Sequence, residues 1–209
     1  MIKMNTNKTI IVTGGAGFIG SELIRYLIEN TKYKVVNIDK LTYSGNLESL
    51  ISIESNSNYI FEQIDICDEN KLKKVFAEHK PDIVMHLAAE SHVDRSISQS
   101  RDFIVTNVLG THTLLEAVRM HKNVTFLQVS TDEVYGSIPL GEKNVEWERI
   151  QLPSNPYSAG KSGQESLAIA YFKTYKIPLA IINCTNMVGE AQNQEKYIPK
   201  AINKILHDE

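Results

Sequence analysis

Cysteine is scarce in this 209-residue chain: there are two, Cys67 and Cys184, and neither has partners at metal-ligand spacing. This argues against a disulfide-built fold and a cysteine metal centre, and it predicts reduced, buried thiols in a cytoplasmic protein. Positive charge is sparse as well. Twenty-two basic residues face 25 acidic ones, for a net charge of −3, and the longest basic cluster is Lys71-Leu72-Lys73-Lys74. That balance argues against nucleic acid as the main partner, and the cluster reads as one solvated helix face. No apolar run reaches membrane-spanning length, so no membrane association is expected. The stretch Met1-Ile2-Lys3-Met4-Asn5-Thr6-Asn7-Lys8 lacks the apolar core of a signal peptide. Internal repeats and low-complexity segments are missing too. What is present is a 42% apolar composition, ordinary for a chain that buries a core, and a length suited to one large domain or one and a half.

The first apolar run, Thr9-Ile10-Ile11-Val12, leads into Thr13-Gly14-Gly15-Ala16-Gly17-Phe18-Ile19-Gly20. Gly15, Gly17 and Gly20 fit the dinucleotide fingerprint, and Gly14 adds a second register. Such a turn visits positive φ and brings backbone close to a pyrophosphate, which favours glycine. The helix that follows places Ile19, Leu23, Leu27 and Ile28 against a sheet and aims its N-terminus at the phosphates. A second strand, Lys34-Val35-Val36-Asn37-Ile38, ends in Asp39, nineteen residues after Gly20. A carboxylate there accepts from a ribose diol and repels a 2′-phosphate, which favours NAD over NADP. Lys40 beside it keeps NADP open.

Strand and helix patterns keep alternating: a third strand at Tyr59-Ile60-Phe61, a helix from Asp68 to His79 ahead of Pro81, and a fourth strand at Asp82-Ile83-Val84-Met85-His86-Leu87-Ala88-Ala89. His86 reads as a satisfied core histidine. The stretch Glu90-Ser91-His92-Val93-Asp94-Arg95-Ser96 reads as a polar loop facing a cleft. A long helix over 101–121 carries an apolar stripe at Ile104, Val108, Thr111, Leu115 and Val118. The alternation implies a doubly wound parallel α/β sheet.

The fifth strand, Val124-Thr125-Phe126-Leu127-Gln128-Val129, delivers Ser130-Thr131-Asp132-Glu133-Val134-Tyr135-Gly136 to the carboxyl edge of that sheet. Ligands bind at this edge, so Asp132 and Glu133 are candidates for acid and base, with solvated or capping carboxylates as the alternative. Residues 137–151, with the single tryptophan Trp147, form a flap over the cleft or a surface excursion. Next, Asn155 and Pro156 have the chemistry of a helix start, which places Tyr157 and Lys161 on one face, four residues apart. An ammonium and a helix N-terminus both favour a phenolate, so Tyr157 is expected to have a lowered pKa.

The fingerprint, Asp39, the hydroxyls ending the fifth strand and the Tyr157/Lys161 pair resemble the extended short-chain dehydrogenase/reductase superfamily. Three longer strings, Asp39-Lys40-Leu41-Thr42-Tyr43-Ser44-Gly45-Asn46-Leu47-Glu48-Ser49-Leu50, the stretch His86 to Ser96, and Ser130 to Gly136, are similar to the nucleotide-sugar 4,6-dehydratases of the dTDP-glucose type. The similarity runs from Thr9 to about Pro199.

The resemblance implies that Thr131, Asp132, Glu133, Tyr157 and Lys161 are catalytic. Tyr157 would take the sugar 4-hydroxyl proton, Glu133 the C5 proton, and Asp132 would protonate the departing 6-hydroxyl. Lys161 would hold the nicotinamide ribose, and Thr131 would contact the sugar near its 4-oxygen. It implies an NAD site formed by Gly14, Gly17, Phe18, Ile19, Gly20, Asp39, Lys40, Leu41, Thr42, Asp65, Ile66, Leu87, Ala88, Ala89 and Thr106, together with Tyr157 and Lys161. It further implies substrate contacts from Ser91, Thr131, Asn186, Lys196 and Tyr197, a dTDP-glucose substrate, no metal, and a homodimer paired through the helices at 101–121 and 156–176. UDP-glucose 4,6-dehydratases and nucleotide-sugar 4-epimerases share the tyrosine and lysine, but epimerases typically lack the Asp-Glu pair.

Two departures stand out. Met187 takes the place of an expected asparagine, and residues 192–194 differ from the family's aromatic-proline pattern. The second is length: residues 1–190 read as the NAD-binding domain with the catalytic residues, and 191–209 as the start of a substrate-binding lobe that is largely missing. A catalytically weak NAD-binding module or partner subunit is therefore the alternative of another class.

Overall fold

The computed structural model describes residues 8–139, 141 and 150–207. The strands β1 (Thr9–Thr13), β2 (Lys34–Asp39), β3 (Tyr59–Gln63), β4 (Ile83–His86), β5 (Thr125–Thr131) and β6 (Leu179–Cys184) form one all-parallel sheet in the order β3-β2-β1-β4-β5-β6. This is the doubly wound arrangement, with its reversal between β1 and β4. Strand residues alternate between two cores. Ile11, Val36 and Ile38 join α2 (Glu69–His79), α5 (Thr111–Arg119) and α6 (Pro156–Tyr175) on one face. Ile10, Val12 and Val35 meet α1 (Phe18–Asn30) and a 3₁₀ helix over Leu47–Ile53 on the other. Burial on both faces explains why the strands read as continuous apolar runs.

Local chemistry sets the helix ends. Asp68 accepts from the Lys71 N–H to start α2, and Lys80 closes it in a left-handed conformation one residue before Pro81. Asn155 and Ser158 form a reciprocal capping box on α6, with Pro156 in the first turn.

Four features differ from the sequence reading. The expected polar loop at 90–96 contains a short helix, α3 (Val93–Ser98), which His92 caps by accepting from the Arg95 N–H. The single helix expected over 101–121 consists of α4 (Ser100–Phe103), a π-helical stretch (Ile104–Gly110) and α5. The wider π turn changes which side faces inward. Phe103, Thr106, Asn107 and Gly110 are buried, whereas Ile104 is exposed. On α1 the core position expected of Ile19 is taken by Ile24, and Ile19 is 41% exposed. The thiols of Cys67 and Cys184 are half-buried rather than buried, and both are free. Most of the expected flap at 137–151, Trp147 included, lies outside the described residues. After β6 the chain enters α7 (Tyr197–Leu206), none of whose residues is buried. No helix among the described residues is long and apolar enough to cross a membrane.

Candidate active site

Parallel strands all point their carboxyl ends the same way, and here those ends open into one cleft of about 1120 Å³. At its floor Gly14 adopts φ +72°, and an added Cβ would sit 2.6 Å from the Ala88 nitrogen. A Cβ on Gly20 would sit 2.2 Å from the Gly14 carbonyl oxygen. The turn is therefore a bare backbone cradle at the start of α1, the form that a pyrophosphate requires. Asp39 braces it. One carboxylate oxygen accepts from the Ala16 N–H at 3.0 Å, and the other from the Leu41 N–H at 2.8 Å. Lys40 is committed elsewhere, donating to the Thr106 hydroxyl at 3.3 Å and pairing with Asp65 at 3.6 Å. A cation so engaged is poorly placed for a 2′-phosphate, so the donor set fits NAD.

Of the residues expected around NAD, Gly14, Gly17, Phe18, Ile19, Gly20, Asp39, Lys40, Thr42, Ile66, Leu87, Ala88, Ala89 and Thr106 line the cleft. Leu41 and Asp65 do not. Leu41 contributes its N–H to Asp39, and Asp65 acts on Lys40. The expected substrate residues Ser91, Asn186, Lys196 and Tyr197 also line the cleft, with Lys196 donating to the Ser91 carbonyl at 3.1 Å. Met187 lines it too.

β5 and α6 bring Thr131, Glu133, Tyr157 and Lys161 to the same cleft. The Thr131 hydroxyl accepts from the Glu133 N–H at 3.2 Å, capping a 3₁₀ turn over Asp132–Tyr135. Glu133 is half-buried. Asp132 is exposed, off the cleft lining, and accepts from the Thr131 hydroxyl at 3.3 Å.

The titrations of Lys161 and Tyr157 are displaced. Lys161 is buried and donates to the Val129 carbonyl at 3.0 Å, and burial lowers its pKa to about 8. Tyr157 contradicts the expected depression. Burial first, then the Glu133 charge, push its pKa up to about 12, while a hydrogen bond with Thr131 opposes the rise. Desolvation of the phenolate outweighs a lysine whose ammonium is turned toward a carbonyl.

The sequence reading gave no site role to Val129, Cys184 or Glu195, which line the cleft. Cys184 is the last residue of β6, a position that the strand-end rule marks as ligand-facing. Val129 acts through its backbone oxygen, for which side-chain identity holds no signal. Glu62, Glu78 and His79 place three potential ligand atoms within 4.8 Å, but they lie off this cleft.

The profile of the family described as GDP-mannose 4,6 dehydratase matches residues 11–209. The chain belongs to this GDP-mannose 4,6 dehydratase family. Among curated proteins, the dTDP-glucose 4,6-dehydratase of Neisseria meningitidis is 48% identical over 204 residues, covering 93% of this chain and 58% of that protein. The crystal structure of dTDP-glucose 4,6-dehydratase from Bacillus anthracis in complex with NAD superposes with a TM-score of 0.88 at 40% identity, over 97% of this chain and 62% of that one. A UDP-glucuronic acid 4-epimerase from Bacillus cereus, solved with UDP-glucuronic acid and NAD, reaches the same TM-score of 0.88 at 31% identity, over 96% of this chain and 64% of that one. This family member thus spans about three-fifths of the length of the relatives it matches.

Proposed function

We propose that this chain carries the NAD-binding and catalytic part of a nucleotide-sugar 4,6-dehydratase, converting dTDP-glucose to dTDP-4-keto-6-deoxyglucose. One observation carries the reading: a single cleft joins the glycine cradle and Asp39 to Thr131, Glu133, Tyr157 and Lys161. Bound there, NAD supplies a hydride acceptor at sugar C4, a donor for C6, and a positive charge that favours the Tyr157 phenolate. Tyr157 takes the 4-hydroxyl proton, with the Thr131 hydroxyl orienting phenol and sugar. Lys161 holds the ribose and adds positive charge beside the phenol. The C4 ketone acidifies C5, whose proton Glu133 accepts from its half-buried position. Asp132 swings from the rim to protonate the departing 6-hydroxyl, and water leaves. A carboxylate at Glu133 favours elimination over epimerisation, which needs no base at C5.

The division between an NAD-binding unit at 1–190 and the beginning of a substrate region at 191–209 belongs to the same proposal. So does a cytoplasmic location, consistent with two free thiols. A homodimer would use the exposed apolar side chains Ile97, Val105, Leu109, Phe172 and Tyr175 on α3, the π turn and α6.

The test is to mix the 209-residue chain with NAD and dTDP-glucose, with UDP-glucose in a parallel arm, and to follow the alkaline absorbance of a 4-keto sugar. Product from the dTDP sugar supports the proposal, and product from the UDP sugar alone reassigns the base. NAD binding by calorimetry without product from either favours the second reading, an NAD-binding subunit without turnover of its own, which Met187 in the cleft wall supports.

A further inference from the structure

Beneath the cleft lies a chain of polar side chains that the reaction leaves unused. Thr13, His86, Thr111, Gln128 and Gln164 are completely buried, and they come from β1, β4, α5, β5 and α6. The Ala88 N–H donates to the Thr13 hydroxyl at 3.2 Å, and that hydroxyl lies 2.7 Å from His86 Nδ1. His86 Nε2 lies 2.8 Å from the Thr111 hydroxyl oxygen, which itself lies 2.6 Å from the Asn107 carbonyl. The Gln164 amide donates to the same Thr111 oxygen at 2.8 Å. Gln128 donates to Gln164 Oε1 at 3.4 Å and to the Val129 carbonyl at 3.0 Å, and that carbonyl also receives the Lys161 ammonium.

The distances settle the direction of each bond. The Asn107 carbonyl can only accept, so the Thr111 hydroxyl proton goes there, and His86 Nε2 must donate to Thr111. His86 Nδ1 is then bare and accepts the Thr13 hydroxyl proton, leaving Thr13 free to accept from Ala88. The other tautomer leaves Thr111 and Asn107 as two oxygens 2.6 Å apart with no proton between them. The 3.3 Å approach of the Gln164 amide to His86 Nε2 is that of two donors converging on one acceptor. Burial keeps the ring neutral, with its pKa lowered to about 3, and the Lys161 charge adds to that effect.

We propose that His86 is a positioning residue: held as a single Nε2-protonated tautomer, it ties the backbone of the cofactor cradle at Ala88 to the catalytic helix at Gln164 and to the carbonyl that holds Lys161. Both ends line the cleft. The Gly14 turn packs on Ala88, and Lys161 sits one turn before Gln164. A shift in the hub therefore moves cradle and ammonium relative to each other. This deepens the proposed function and rests on it for the meaning of the two ends.

The test uses the full 209-residue chain and needs no sugar turnover. Nitrogen NMR of the labelled histidines should show His86 with Nε2 protonated and Nδ1 bare, unchanged between about pH 6 and pH 9, where an ordinary histidine titrates. Thr111→Val should weaken NAD binding in calorimetry about tenfold, the size expected for losing a buried hydrogen-bond hub. It should also move the Lys161 titration midpoint, and Thr111→Ser should restore both. An Nδ1-protonated or exchanging ring overturns the proposal, with or without a foldable variant. So does a Thr111→Val chain that loses thermal stability but keeps NAD affinity and the Lys161 midpoint, because that marks a purely structural network. A wild-type chain that binds no NAD overturns the proposed function instead, and the tautomer alone then decides this inference.

Discussion

Replacing Lys161 with methionine should make this protein more stable at neutral pH while removing the ammonium assigned to the proposed reaction. The side chain is only 5% exposed and has no carboxylate within salt-bridge distance among the described residues; its ammonium rests on the Val129 carbonyl. Burial lowers its pKa from 10.5 to about 8. At about 1.36 kcal/mol per pKa unit, keeping the ammonium charged in the folded state costs about 3 kcal/mol. Between pH 8 and 10.5 the unfolded chain binds a proton that the folded chain has lost, so stability rises with pH across that window. Below pH 8 the cost is fully present, and above pH 10.5 it is gone. Methionine fills similar volume without charge and forfeits one hydrogen bond worth about 1 kcal/mol. The net gain at pH 7 is about 2 kcal/mol, or roughly 4–8 °C in Tm for a chain of this size. Denaturant melts of wild type and Lys161→Met at pH 7 and pH 10.5 measure it. The variant should be the more stable at pH 7 and equal or slightly weaker at pH 10.5. A variant that is less stable at both values, by the same amount, would refute the burial argument.

Gly20→Ala should abolish NAD binding in calorimetry and lower the Tm, since the new Cβ meets backbone at 2.2 Å and 2.7 Å with nothing flexible to give way. Tyr157→Phe should prevent sugar oxidation, whereas Glu133→Gln should permit oxidation at C4, seen as NADH absorbance, and block loss of water; equal, mild effects of both would count against the assigned roles. Without NAD, phenolate absorbance assigned to Tyr157 by difference from Tyr157→Phe should emerge only toward pH 12, because burial and the Glu133 charge disfavour the anion. Asp39→Ala should weaken NAD binding by about tenfold or more through loss of the brace on Ala16 and Leu41, with any gain in NADP binding read by the same calorimetry.

Much of the fold was legible because its signals are local. The glycine spacing, the run into Asp39, the helix ending at His79 ahead of Pro81, and the Asn155-Pro156 start of α6 each depend on residues within a turn or two of one another. The α3 helix was hidden because its cap is a histidine, outside the usual Ser, Thr, Asp and Asn set. The π turn was hidden because an apolar stripe fits straight helical spacing until tertiary packing decides where the turn widens. Asn107 decides it here, bonding the Glu90 backbone in both directions at 2.8 and 3.0 Å, seventeen residues away.

The sequence by itself determined the order of strands and helices and the nucleotide cradle. These follow from φ preferences, side-chain period and capping, all of which operate over a few neighbouring residues. Only the tertiary structure decided their electrical state. Lys40 is occupied by Asp65 and Thr106, Tyr157 is raised instead of lowered, Lys161 is depressed, and His86 is held neutral by burial. Protonation depends on desolvation and on partners from distant segments, and those exist only once the sheet has brought the strand ends together.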